Sequence, residues 1–137
     1  MKIAVIDESA ARAAVIEEGL REAGLDDITI LVERVGIVRR LEELSPDVVL
    51  INIENSGRDV LEENFALSRA LARPIAMFVD QSDDQSIAEA VEAGISAYVV
   101  DGLRKERIKP ILELAVRRFN AFSRLQTELA EARSALV

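Results

Sequence analysis

The 137 residues include no cysteine, no histidine and no tryptophan, and these absences remove several chemistries together. Without cysteine there is no disulfide, no thiolate zinc site and no sulfur nucleophile. Without histidine the commonest general base and metal ligand is missing, and with it the familiar nucleophile–histidine triads. Glycine is scarce at six residues. IDESAA contains none and INIENSG only one. The glycine-rich loop that cradles phosphate in a mononucleotide-binding enzyme is therefore lacking after these strand-like runs. No apolar run approaches the ~18 residues of a membrane span. The chain opens directly on KIAVI instead of a signal-peptide pattern, so a soluble, cytoplasmic, non-membrane protein is expected.

Half the residues are apolar, enough for a full core in one domain. Charge is divided unevenly. Residues 1–103 carry 9 Lys/Arg against 21 Asp/Glu, and residues 104–137 carry 8 against 4, a net of −12 against +4. An acidic body does not bind nucleic acid by counterion release, and the basic tail is too sparse and mixed in sign to do so alone.

Short apolar runs alternate with helical patterns. KIAVI (2–6), ITILV (28–32), DVVLINI (47–53), PIAMFV (74–79) and SAYVV (96–100) read as strands, each followed by a helix. Ser9 is a plausible N-cap for the first helix and Gly24 its stop; Ser82 or Asp83 caps the fourth, and Gly94 ends it. Pro110 belongs in the first turn of the last helix or marks a break before it. The strands lack strict in/out alternation, which indicates a parallel sheet covered on both faces: a doubly wound, five-stranded α/β sandwich with an extended C-terminal helix. In such folds function gathers beyond the carboxyl ends of the strands.

Those ends carry Asp7 and Glu8, then Asn52 with Glu54, then Val79 and Asp80, then Asp101. Here the chain resembles the receiver domains of bacterial two-component response regulators, over residues 1–120. The resemblance implies a flavodoxin-like fold and a magnesium site at Asp7, Glu8 and the backbone carbonyl of Glu54. It places Asn52 at the phosphoacceptor position, Val79 at that of a hydroxyl residue, Asp101 at that of a lysine, and Tyr98 at an aromatic switch. Three reactive positions depart from the pattern. An amide is no nucleophile, so Asn52 cannot form an acyl phosphate; valine offers no hydrogen bond; Asp101 sets like charge against a phosphoryl group. Phosphorylation is not expected, and magnesium binding should be weak. Asn52 is either the protein's own residue or a replacement for aspartate, and the sequence leaves both open.

MFVDQSDD, GISAYVVDGL and RIKPILELAVRRF together resemble the receivers of ANTAR-type antitermination regulators, especially the NasT-like and AmiR-like group. That resemblance implies control of RNA-binding transcription antitermination in nitrate or nitrite assimilation. A sensor kinase or a nitrate-sensing protein would be the partner, and RNA would be bound only by a C-terminal ANTAR domain for which this chain has no room.

Each position also has a plainer reading. Asp7 and Glu8 suit a helix N-terminus, and Asn52 a polar strand end. Asp80, Asp83 and Asp84 read as caps and solvated charge, Tyr98 as a packed strand aromatic, and Arg117, Arg118 and Arg124 as a solvated face. Beyond residue 120, Phe122, Leu125, Leu129, Ala132 and Leu136 recur at spacings of three and four, the rhythm of a coiled coil. Residues 121–137 are therefore expected to form a stalk supporting a homodimer. The expected function is a non-catalytic signal-receiving module; the alternative is a phosphate-independent pseudo-receiver that acts only through partner binding and dimerisation.

Overall fold

The computed structural model describes residues 1–54 and 57–136. Asn55 and Ser56, within the expected ENSG turn, and Val137, at the end of the expected stalk, lie outside the described residues. Among the described residues, five strands and five helices alternate strictly. The strands are β1 (Ile3–Ile6), β2 (Ile28–Leu31), β3 (Val48–Ile53), β4 (Ile75–Val79) and β5 (Ala97–Val100). Between and after them run α1 (Ala10–Glu22), α2 (Ile37–Leu44), α3 (Arg58–Ala70), α4 (Asp84–Glu92) and α5 (Lys105–Ala135). The strands form one parallel sheet in the order β2-β1-β3-β4-β5. This is the expected doubly wound, flavodoxin-like receiver fold with a long C-terminal helix.

The pleat divides the core in two. Ala4, Ile6, Val49, Ile51, Met77 and Val79 point to one face, where Leu41 of α2, Leu61 and Phe65 of α3 and Ala90 of α4 cover them. Ile3, Val5, Val48, Leu50, Ala76 and Phe78 point to the other, beneath Ile16 and Leu20 of α1 and Ile108 and Leu112 of α5. Each large apolar side chain buried this way contributes roughly 1.5–3 kcal/mol. The two outer helices approach closely at Gly19, where an added Cβ would lie 3.3 Å from the Lys105 side chain.

Local chemistry sets the helix ends. Ser9 caps α1, its side chain accepting a hydrogen bond from the Arg12 N–H. Of the two candidate caps for α4, Asp83 is used; it accepts from the Ser86 N–H at 2.7 Å. The reading of Pro110 requires correction. It is neither in the first turn nor at a break, but sits in the second turn of an unbroken 31-residue helix. One backbone bond is lost near the helix end, and the neighbouring Ile108 and Leu112, both fully buried, hold that turn on the sheet.

At 1.5 Å per residue α5 is about 46 Å long. Its buried positions stop at Ala115, and Phe122, Leu125, Leu129, Ala132 and Leu136 are all exposed. No helix among the described residues is long and apolar enough to cross a membrane.

The Asp83 carboxyl is held below its usual pKa, first by the Ser86 backbone N–H and secondarily by Ser86's side chain. A depressed folded-state pKa contributes stability above the unfolded value and loses it as pH falls through the folded one. Asp83→Ala should therefore melt lower than wild type at neutral pH, and the gap should narrow as the buffer is acidified below the aspartate range. Thermal melts across a pH series test this; a gap independent of pH would refute the charged cap.

Candidate functional site

Register decides which side chains meet at the carboxyl edge. Ile6 pairs with Ile51, so Asp7 and Asn52 come next at the same level. Pleat parity sends both toward α1 and α5, in line with Val5 and Leu50. The Asp7 side chain is fully buried, Asn52 half-buried. A carboxylate only accepts hydrogen bonds, and Asn52 presents its amide nitrogen, donating from Nδ2 to Asp7 Oδ2 at 3.0 Å.

The Asp7 carboxylate receives three further donations. The Ser9 N–H bonds Oδ1 at 2.9 Å. Arg12 lays one edge of its guanidinium along both oxygens, Nη2 to Oδ1 at 2.9 Å and Nε to Oδ2 at 3.4 Å. The remaining Arg12 nitrogen, Nη1, donates to Glu54 Oε2 at 3.2 Å. This arrangement raises the Arg12 pKa above the usual arginine value, chiefly through the bond to Asp7 and against a smaller desolvation cost.

Two recesses open around this cluster. One, of about 490 Å³, lies between α1 and the β5–α5 connection and is lined by Arg12, Val15, Ile16, Asn52, Asp80 and Leu103 among others. The second, of about 220 Å³, lies on the other side of Arg12 and includes Glu8, Arg34, Asn52, Glu54 and Val60. Glu8 is exposed at this rim.

The other expected positions are more dispersed. Glu54 takes part through its side chain. Val79 is fully buried on the α2–α4 face of the sheet, opposite in parity to Asn52. Asp101 is exposed in a left-handed conformation, φ 84°. It follows Val100, which is level with Val79 and Ile53, so it stands two strand spacings across and two residues beyond Asn52, roughly 12 Å away. Tyr98 is half-buried, its hydroxyl 2.8 Å from Ser82 Oγ and its ring centroid 6.4 Å from that of Phe65. The loop after β4 thus supplies a hydroxyl, Ser82, three residues beyond the Val79 position to which the resemblance assigned one. Arg118 donates to the Ser96 carbonyl at 3.3 Å.

Arg12 is the site residue that sequence reasoning overlooked. A signal was present: α1 has no acid in its first turn, where the helix dipole favours one, and carries a guanidinium there instead. The residues do not fit the magnesium ion that the resemblance implies. Among the described residues no three carboxylates gather into a metal-binding group, and the one buried carboxylate already accepts four donors.

Asn52→Asp removes a donor and sets a second carboxylate against Asp7. It should lower stability at neutral pH by about 1–3 kcal/mol, and the deficit should shrink as acid protonates the new side chain. Urea unfolding at neutral and acidic pH measures both; equal stability at neutral pH would show that the amide bond contributes nothing.

No family model matches the chain. Transcriptional regulatory protein PdtaR of Mycobacterium tuberculosis is 25% identical over 129 residues, 94% of this chain and 63% of that protein. The chain thus spans less than two thirds of that relative's length. Chemotaxis protein CheY1 of Helicobacter pylori is 25% identical over 120 residues, 85% of this chain and 97% of that protein. The crystal structure of a two-component response regulator from Clostridium difficile superposes with a TM-score of 0.69 at 22% identity, covering 88% of this chain and 98% of that one. In fold, and in sequence along most of its length, the chain is similar to the CheY-like receiver domains of response regulators.

Proposed function

We propose that the chain is the non-catalytic signal-receiving module of a response regulator, that it accepts no phosphoryl group, and that α5 carries its output. The observation that supports this most directly is the Asn52 amide bonded to the buried Asp7 carboxylate. A nucleophilic carboxylate is needed at that place for acyl phosphate formation, and an amide supplies none. Valine at position 79 faces the core, and the cation beside Asp7 is already engaged by two carboxylates.

Input then comes from a protein, a sensor kinase or a nitrate-sensing partner, that favours one packing state of the module over another. The output reading, RNA-binding transcription antitermination in nitrate or nitrite assimilation, rests on the motif strings of β4, β5 and α5. It agrees with the regulatory role named for PdtaR. RNA contact belongs to an ANTAR-type unit following the stalk. The exposed Phe122, Leu125 and Leu129 suit a homodimer formed along α5. The division is receiver over residues 1–120 and stalk over 121–137.

Intact-mass analysis after incubation with acetyl phosphate or phosphoramidate and magnesium should find no adduct on the wild-type chain; a stable phosphate at this edge would overturn the proposal. The same treatment of Asn52→Asp separates two forms of it. Labelling favours a phosphorylation-competent scaffold silenced at one residue, whereas an unlabelled, folded variant favours the phosphate-independent pseudo-receiver.

For the stalk, combined Leu125→Glu and Leu129→Glu changes should convert dimer to monomer in sedimentation velocity without altering the melting of the body. Wild-type protein that sediments as a monomer at every concentration would remove the dimer.

A further inference from the structure

We infer that Arg12 is a built-in cation of this pocket, occupying the coordination space between Asp7 and Glu54 so that the edge is neutralised without any divalent metal. The inference stands on geometry and goes beyond the phosphate question, which has its own mass-spectrometric test.

Three observations carry it. The first is saturation. A carboxylate offers about four lone-pair directions, and the four donors on Asp7 are the Ser9 N–H, the Asn52 amide and two nitrogens of Arg12. A hard cation such as magnesium needs those same oxygens at near-ideal octahedral geometry, so it must first displace the guanidinium. The second is bridging. One planar group contacts Asp7 with one edge and Glu54 with its remaining nitrogen, spanning the β1–α1 and β3–α3 connections as a bound ion would. The third is local cost. A cation in the first turn of α1 opposes the helix dipole, and Ser9 already supplies the cap. Helix formation gives no reason for arginine at this position. The surrounding acids do, with Glu8 adding to the field of Asp7 and Glu54.

A consequence follows for any metal. Arg12 and a divalent ion compete for one set of oxygens, so removing the guanidinium should create a cation site that the wild type lacks. The oxygens facing the vacated space are those of Asp7 and Glu54, with the Asn52 amide able to turn its oxygen inward.

The test uses the full chain and magnesium or manganese alone. Calorimetric titration of wild type should give no saturable binding. Arg12→Ala, or Arg12→Gln where the alanine variant folds poorly, should bind saturably, at least about tenfold more tightly than the weakest affinity the wild-type titration would have detected, as expected when a unit charge is removed from within contact distance. Its melting temperature should rise with added magnesium while that of the wild type stays fixed. Adding Asp7→Asn to the Arg12 variant should abolish the gain. Manganese broadening of amide resonances supplies an arm that needs no variant. Saturable, selective broadening at Asp7 and Asn52 in wild type would overturn the inference. So would a folded Arg12 variant that binds no better than wild type.

Discussion

A buried carboxylate must be met by donors or it will not stay charged, and the whole carboxyl edge of this sheet is organised around meeting one. Asp7 follows β1 on the face that α1 and α5 cover, and its oxygens draw donors from three separate pieces of chain: the α1 cap, the first turn of α1 and the end of β3. That convergence fixes how α1 leaves β1, and how the two recesses are separated. It also explains why an asparagine is comfortable at position 52. Beside a carboxylate that only accepts, an amide nitrogen is a better neighbour than another oxygen.

The same logic assigns different parts to residues that a receiver alignment treats as one constellation. Asp7, Asn52, Arg12 and Glu54 form a contiguous hydrogen-bonded group. Val79 belongs to the core on the far face, and Asp101 stands apart on the rim. The hydroxyl that meets Tyr98 comes from Ser82, three residues beyond Val79. Tyr98 is thereby held between the β4–α4 loop and Phe65 of α3. Arg58 at the start of α3 in turn reaches Glu89 of α4, tying the two helices that flank that aromatic.

Much of this was legible in the sequence. Five apolar runs separated by helical periods gave the strand count, the parallel sense and the two covered faces, because burial on both sides leaves its mark on every strand residue. Ser9 was recognisable as a cap from its place before an alanine-rich helix. The aligned acids at strand ends pointed to the correct edge. What the sequence hid was parity and reach. Whether Val79 turns toward Asn52 or away from it depends on pleat alternation, counted from an end that trims by a residue. Arg12 drew no reading of its own, since only the three-dimensional approach of Asp7 and Glu54 turns it inward. Pro110 looked like a boundary because proline usually is one, and only packing by Ile108 and Leu112 lets the helix run through it.

The contact at Gly19 has a mechanical meaning. Because α1 carries no side chain there, the Lys105 and Ile108 side chains of α5 pack directly on its backbone, and roughly 25 Å of α5 projects past Arg118, whose guanidinium still bonds the Ser96 carbonyl. A rod anchored near one end magnifies rotation at its root: a tilt of about 10° would carry its free tip through roughly 4 Å at that length. Any reorientation of α1, whose first turn grips Asp7 and Glu54, would reach the tip of α5 enlarged in that proportion.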